Sequence, residues 1–295
     1  YTFPTTFTTA SMFYKAVDTN VIDFDSSSIS SVLAQKGLGK ADFSNTAMLL
    51  ETWIDGILDN AATADVSANG GIIVDAASRT VVRTFPMGTD VAGEAIDRML
   101  RAIPGLEFGV ERSEVGMRLA DAGDMHVPSL ANESSPNKEF VMTPGYRPSG
   151  AVAGVIPTGP IHELISGDRA VKIVARPPVG DVRDADALLA IIEGAIGGLI
   201  QATHSNIHDV LIEFSAAGVT KGSTLELLAT ERGYAPSEVA AVGDMPNDAP
   251  MLSWVGEPYV VANAHASLLA QFARVLPRND EDAVGQLLIE LAGAL

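Results

Sequence analysis

Asp244, Asn247 and Asp248 crowd three oxygen-bearing side chains into five residues of the segment Ala241-Val242-Gly243-Asp244-Met245-Pro246-Asn247-Asp248. That set suits a hard cation such as Mg²⁺, which favours carboxylates and water. A solvated acidic turn uses the same residues. A second pair, Asp23 and Asp25, stands in Val21-Ile22-Asp23-Phe24-Asp25-Ser26-Ser27-Ser28. At i and i+2 of an extended segment both carboxylates point the same way, so both reach one site. D-x-D pairs are also common by chance. Lys221 begins a stretch with Leu225, Leu227 and Leu228 at helical spacing. A lysine at a helix start is misplaced with respect to the dipole, and a phosphate or carboxylate partner would offset that cost. An exposed lysine tolerates it cheaply.

Other tempting groups carry less. His204 and His208 share the i, i+4 spacing of helical zinc ligands, but Ser205-Asn206 between them reads as a turn and favours structural or surface roles. Gly37-Leu38-Gly39 lacks the third glycine and the preceding strand of a dinucleotide site.

The elements that must hold these residues alternate between strand and helix, which predicts an α/β fold with a mostly parallel sheet. Residues 238–242 read as a short buried strand that Gly243 breaks, and the carboxyl end of such a strand is where α/β folds bind ligands. Residues 16–24 offer a strand ending in Asp23 and Asp25. Residues 47–58 read as a helix. Residues 65–75 read as strand–turn–strand around Asn69-Gly70-Gly71. Val91, Ala95, Met99 and Ile103 recur at helical spacing, and residues 186–200 give another apolar helix. Residues 171–174 and 210–214 are strand-like, while the Gly/Pro/Ser-rich 129–160 reads as loops around short strands.

At 295 residues and 47% hydrophobic the chain can bury a core large enough for about two domains. A net charge of −18 without a Lys/Arg cluster argues against nucleic acid as a partner. No apolar run approaches the roughly 20 residues of a membrane helix. With no cysteine, disulfides and thiolate chemistry are excluded, and a reducing, cytoplasmic setting fits. No secretory signal is expected at the start.

The run EFSAAGVTKGSTLELLATERGYAPSEVAAVGDMPNDAPML, with VANAH and NDEDAV after it, resembles the C-terminal half of the Cof-type phosphatases of the haloacid dehalogenase superfamily. The resemblance is dense from Ala68-Asn69-Gly70-Gly71 onward and specific from Glu213. It implies a Rossmann-like core of parallel sheet and helices at 1–83 and 213–295, with an inserted α+β cap at 84–212 that selects the substrate. It implies Mg²⁺-dependent hydrolysis of a small phosphorylated metabolite, such as a sugar phosphate, through an aspartyl-phosphate. Asp23 would attack phosphorus. Asp25 would protonate the leaving alcohol and later activate water. Asp23, Asp25 through its carbonyl, and Asp244 would hold the metal. Lys221 would neutralise the phosphate, Asn247 would approach it or the metal's waters, and Asp248 would hold Lys221 or a metal-bound water. Ser44, with Thr46 as its rival, would supply a phosphate-binding hydroxyl. Asn263 either lies near the phosphate or caps the helix that follows it. Arg147 in the cap would meet a second anionic group, or is simply an exposed arginine. Two departures mark the N-terminal half: Ser26-Ser27 replace the family's Gly-Thr, and the arginine expected after Ser44 is missing. They keep open a catalytically degenerate binding or regulatory protein on the same fold. A sugar phosphomutase is the other alternative.

Overall fold

The structure, a computed structural model, describes residues 12–15, 64–75, 78, 80–117, 139–148, 156–205 and 209–293. Asp23, Asp25, Ser44 and Thr46 lie outside the described residues, as do the strand expected over 16–24 and the helix expected over 47–58. In chain order the strands are β1 (Met12–Lys15), β2 (Ala64–Ser67), β3 (Ile72–Asp75), β4 (Thr80–Thr84), β5 (Glu107–Arg112) and β6 (Glu139–Met142). They continue as β7 (Ala170–Arg176), β8 (Ile200–Thr203), β9 (Ile212–Ala216), β10 (Val239–Gly243), β11 (Glu257–Val261) and β12 (Val275–Leu276). The α-helices are α1 (Thr89–Ala102), α2 (Ile161–Leu164), α3 (Ala185–Ile196), α4 (Lys221–Glu231), α5 (Ala249–Trp254), α6 (Ala266–Gln271) and α7 (Ala283–Gly293).

A parallel sheet runs β1-β10-β11-β12. Its strand β10, Val-Ala-Ala-Val-Gly, is apolar along its whole length, as a strand covered on both faces must be. Leu225 and Leu228 of α4 and Met251 and Leu252 of α5 pack against Val239 and Ala241 to make one core. A five-stranded antiparallel sheet, β6-β5-β7-β9-β8, forms a second layer. Helices α1 and α3 cover it, and Ile96, Met99, Leu188 and Ile192 meet Phe108, Ile173 and Phe214 in the largest core. Between the two lies the small antiparallel sheet β2-β3-β4. Strand β3 serves both sides through its two-residue period: Ile73 joins the core under the parallel sheet, while Ile72 and Val74 pack with Val171 of β7.

Helix α3 is shorter than its periodicity suggests. Asp184 caps it by accepting from the Ala187 N–H, and Gly197 ends it with a left-handed φ of 59°. Residue 200, expected as its last residue, instead opens the strand β8 (Ile200–Thr203). The apolar pattern runs on through the glycine, and only the backbone reverses there.

Candidate functional site

Strand β10 delivers Asp244 at its carboxyl end, beyond Gly243. A Cβ on Gly243 would lie 2.6 Å from the Cβ of Asp248, so only glycine lets the following loop fold back this tightly. The fold-back puts Asp248 at the centre of the loop. Its Oδ2 accepts the backbone N–H groups of Asp244 at 2.9 Å and Met245 at 3.2 Å, and its Oδ1 accepts from Lys221 Nζ at 2.7 Å. Lys221 and Asp248 are only 6% and 2% exposed, so each charge is retained in the interior because the other compensates it.

Lys221 is the first residue of α4, where the sequence places it. Thr220 and Ser223 cap the helix reciprocally: the Ser223 N–H donates to Thr220 Oγ1 and the Thr220 N–H donates to Ser223 Oγ. The capping box fixes the backbone from which Lys221 reaches Asp248. The electrostatic misplacement at the helix start is met by a carboxylate, as one of its two readings requires.

Asn247, 4% exposed, donates from Nδ2 to Asn69 Oδ1 at 3.3 Å. Its own Oδ1 is buried and has no hydrogen-bond partner among the described residues. An orphaned acceptor of this kind costs roughly 1–3 kcal/mol, which a bound donor recovers. Asp244 is half-buried beside it. Carboxylate and amide oxygens at the open end of a parallel strand fit Mg²⁺, whose coordinated waters are the donors Asn247 Oδ1 lacks.

Behind Asn247 runs a buried polar chain that the sequence does not announce. Asn69 Nδ2 donates to Glu213 Oε2 at 2.8 Å, and Lys172 Nζ lies 2.6 Å from Glu213 Oε1. Asn69 holds a left-handed backbone (φ 56°), which asparagine tolerates better than most residues. Gly70 follows at φ 97°, and a Cβ there would lie 2.3 Å from the Thr220 carbonyl oxygen. Thr224 Oγ1 donates to the Gly70 carbonyl at 2.9 Å, so this turn is bolted to the first turn of α4. Asn69-Gly70-Gly71 is legible as a turn but not as part of a site. The one available signal for Lys172 is its charge amid Val171, Ile173 and Val174.

Asn263 is occupied elsewhere. Its Nδ2 donates to Asn279 Oδ1 at 2.8 Å, and its Oδ1 accepts the Asn279 N–H at 3.0 Å. The alternative role as helix cap falls to His265, whose ring accepts from the Ser267 N–H at the start of α6. The His265 N–H donates to the Asp244 carbonyl at 2.7 Å, which fixes the Asp244 backbone from the other side. His204 follows β8 rather than sitting in a helix and is 1% exposed; His208 lies outside the described residues. Arg147 is exposed.

Residues 149–288 match the profile of the haloacid dehalogenase-like hydrolases. The match takes in a little under half of the chain. A phosphoglycolate phosphatase of Halorubrum lacusprofundi is 37% identical over 82 residues, which cover 28% of this chain and 35% of that protein. One of Methanothrix thermoacetophila is 30% identical over 83 residues, covering 28% of this chain and 37% of the relative. The matches thus span little more than a third of these curated relatives. Among solved structures, a HAD subclass IIB sugar phosphatase superposes with a TM-score of 0.59 at 15% identity, covering 97% of this chain and 100% of the other. A superfamily phosphatase of Bacteroides thetaiotaomicron gives 0.58 at 17% identity, covering 97% and 96%. At these identities the likeness is one of fold: a haloacid dehalogenase core with an α+β cap. Among the described residues no helix is long and apolar enough to cross a membrane.

Proposed function

We propose that this haloacid dehalogenase-fold chain is a phosphatase that hydrolyses a small phosphomonoester with Mg²⁺ bound. The observation that carries the reading is the buried Lys221–Asp248 pair, which folds the Asp244 loop into place and leaves Asn247 Oδ1 beside it without a partner among the described residues. A solvated acidic turn needs neither a buried lysine nor an orphaned amide.

Asp244, with Asp23 and the carbonyl of Asp25, would hold the metal. When bound, the ion neutralises charge on the phosphoryl oxygens and orients the ester. Lys221 Nζ adds a second positive charge, fixed in direction by Asp248, which stabilises the equatorial oxygens of the transferring group. Asp23 attacks phosphorus, forming an aspartyl-phosphate as the ester P–O bond breaks, and Asp25 gives its proton to the leaving alkoxide. Asp25, now ionised, takes a proton from water as that water attacks the same phosphorus. Phosphate leaves and Asp23 is restored. Ser44 donates its hydroxyl to a phosphoryl oxygen.

The curated relatives are named for phosphoglycolate and a structural neighbour for sugar phosphate, so the substrate class proposed is a small phosphorylated metabolite. The −18 charge supports this over nucleic acid, since a polyanion would meet repulsion everywhere but at the site. The absence of cysteine supports a cytoplasmic setting. The sequence suggests a core of 1–83 and 213–295 around a cap of 84–212; because β9 (Ile212–Ala216) pairs with β7 and β8, we move the second boundary to the end of that strand.

The test is hydrolysis of an aryl phosphate by the full chain. Chelation should abolish it and added Mg²⁺ should restore it. Full activity in excess chelator sinks the mechanism. If the chain is inactive on a broad phosphate-ester panel with Mg²⁺ present, the non-catalytic binding protein on this fold takes over.

A further inference from the structure

Asp186, His204 and His265 meet outside the phosphate site, and the proposed reaction uses none of them. They come from three segments: the first turn of α3, the residue after β8, and the cap of α6. One donor atom from each lies within 4.8 Å of the other two. His204 Nε2 is 2.9 Å from Asp186 Oδ1, and His265 Nε2 is 3.3 Å from Asp186 Oδ2. The two rings stand edge to face at 78°, with centroids 5.5 Å apart, so both turn a nitrogen toward one carboxylate.

Hydrogen bonding alone explains this trio poorly. His204 is 1% exposed, yet its Nδ1 has no hydrogen-bond partner among the described residues. Its Nε2 is aimed at Asp186, whose side chain is 63% exposed and which water solvates without help. A hydrogen bond from Nε2 to a solvated carboxylate recovers little of the cost of burying this ring; a metal bond at Nε2 recovers more, with Nδ1 unpartnered among the described residues in either case.

We propose that Asp186, His204 and His265 form a binding site for a zinc ion or a similar first-row transition ion. Two imidazoles and a carboxylate, with the exposed Asp186 side leaving a fourth position to water, make a zinc donor set of the open kind. Imidazole nitrogen suits zinc, copper or nickel and not Mg²⁺, so the site is chemically distinct from the oxygen site at Asp244. With metal–ligand bonds of about 2.0–2.1 Å a tetrahedral ion holds its donors about 3.3–3.4 Å apart. The 2.9 and 3.3 Å separations reach different oxygens of Asp186, and the three donor atoms lie within 4.8 Å of one another, so a bound ion draws them together. An ion at Nε2 puts the His265 proton on Nδ1, which then donates to Ser267 Oγ at 2.8 Å and gives up the bond it accepts from the Ser267 N–H.

The ion joins two layers of the molecule. Asp186 and His204 belong to the layer of the five-stranded sheet, and His265 follows β11 of the parallel sheet. The His265 N–H holds the Asp244 carbonyl, so occupancy ties the α3 end of the upper layer to the Asp244 loop. Binding to the folded state alone raises the melting temperature by mass action.

The test uses the full chain, stripped by chelator and held in excess Mg²⁺ so that the oxygen site is filled. Zn²⁺ is titrated by calorimetry, and Co²⁺ serves as an optical probe of low coordination number. We expect one equivalent of Zn²⁺, a melting temperature higher by several degrees, and a Co²⁺ visible band. Asp186→Asn, an exposed change that spares the fold, and His265→Gln should each weaken binding at least about 10–100-fold. His204→Gln should do the same, with its metal-free melting curve recorded to separate folding from binding. Asp244→Asn should leave Zn²⁺ binding intact, so the result stands whether or not the phosphatase reading does. Absence of stoichiometric binding overturns the proposal, as does binding that survives in both Asp186→Asn and His265→Gln. Loss of binding in Asp244→Asn alone overturns it too, by moving the ion to the carboxylate loop.

Discussion

Lys221 and Asp248 do two jobs with one contact: the pair positions a cation for phosphate and holds the Asp244 loop closed. Breaking one side of a buried pair leaves an uncompensated charge and costs about 3–5 kcal/mol. Lys221→Met should lower stability by that amount in urea unfolding, and Asp248→Asn should do so somewhat less because its side chain still accepts from backbone N–H groups. The double variant has no stranded charge, so it should recover most of the lost stability while phosphate release stays abolished. A double variant no more stable than the worse single one would show that the pair is not a coupled buried unit. These residues were legible because their spacing survives in the sequence, with Asp244, Asn247 and Asp248 inside five positions. Asn69 and Glu213 were not: 144 residues separate them, and neither type is unusual where it stands.

Elements were legible where one period dominates and were misjudged where a single backbone angle decides. The apolar spacing of α1 predicts the helix, but nothing near its start predicts its cap. Gly88 precedes the helix with no side chain to offer, and the cap comes from Asp168, whose Oδ1 accepts both the N–H and the hydroxyl of Thr89 at 2.7 Å. The Thr89 N–H and then its hydroxyl hold the Asp168 carboxyl below its ordinary value of 3.8. A carboxyl depressed in the folded state stabilises above its unfolded value and loses that contribution as pH falls through the folded one. Asp168→Asn should therefore be less stable than the parent at neutral pH, and the gap should close as pH drops below about 3.8. Melting curves of both proteins across that range check it. A gap that does not change with pH would assign the loss to the altered loop, where Asp168 holds a positive φ of 51°, and not to the charge at the helix start.

For the whole molecule, the decisive fact is which strand lies beside β10. The sequence offers 16–24 as the N-terminal strand, and pairing is a long-range property that local pattern does not carry. In the structure Met12–Lys15 runs parallel to β10, with Met12 level with Val239 and Lys15 level with Val242. Ligands bind past the carboxyl ends of such neighbouring strands, so the nucleophile is sought among the carboxylates that follow Lys15. In sequence these are Asp18, Asp23 and Asp25, and Asp18 is the first. The D-x-D spacing favours Asp23 with Asp25 as its acid–base partner; the end of β1 favours Asp18. Replacing a covalent nucleophile by its isosteric amide should lower turnover by several orders of magnitude with little effect on folding. We expect that loss for Asp23→Asn, a severe but smaller loss for Asp25→Asn, and near-parental turnover for Asp18→Asn, each read as phosphate release beside a melting curve. The opposite order, with Asp18→Asn inactive and Asp23→Asn active, transfers the nucleophile to the first carboxylate after β1 and leaves the roles of Lys221 and Asp244 untouched.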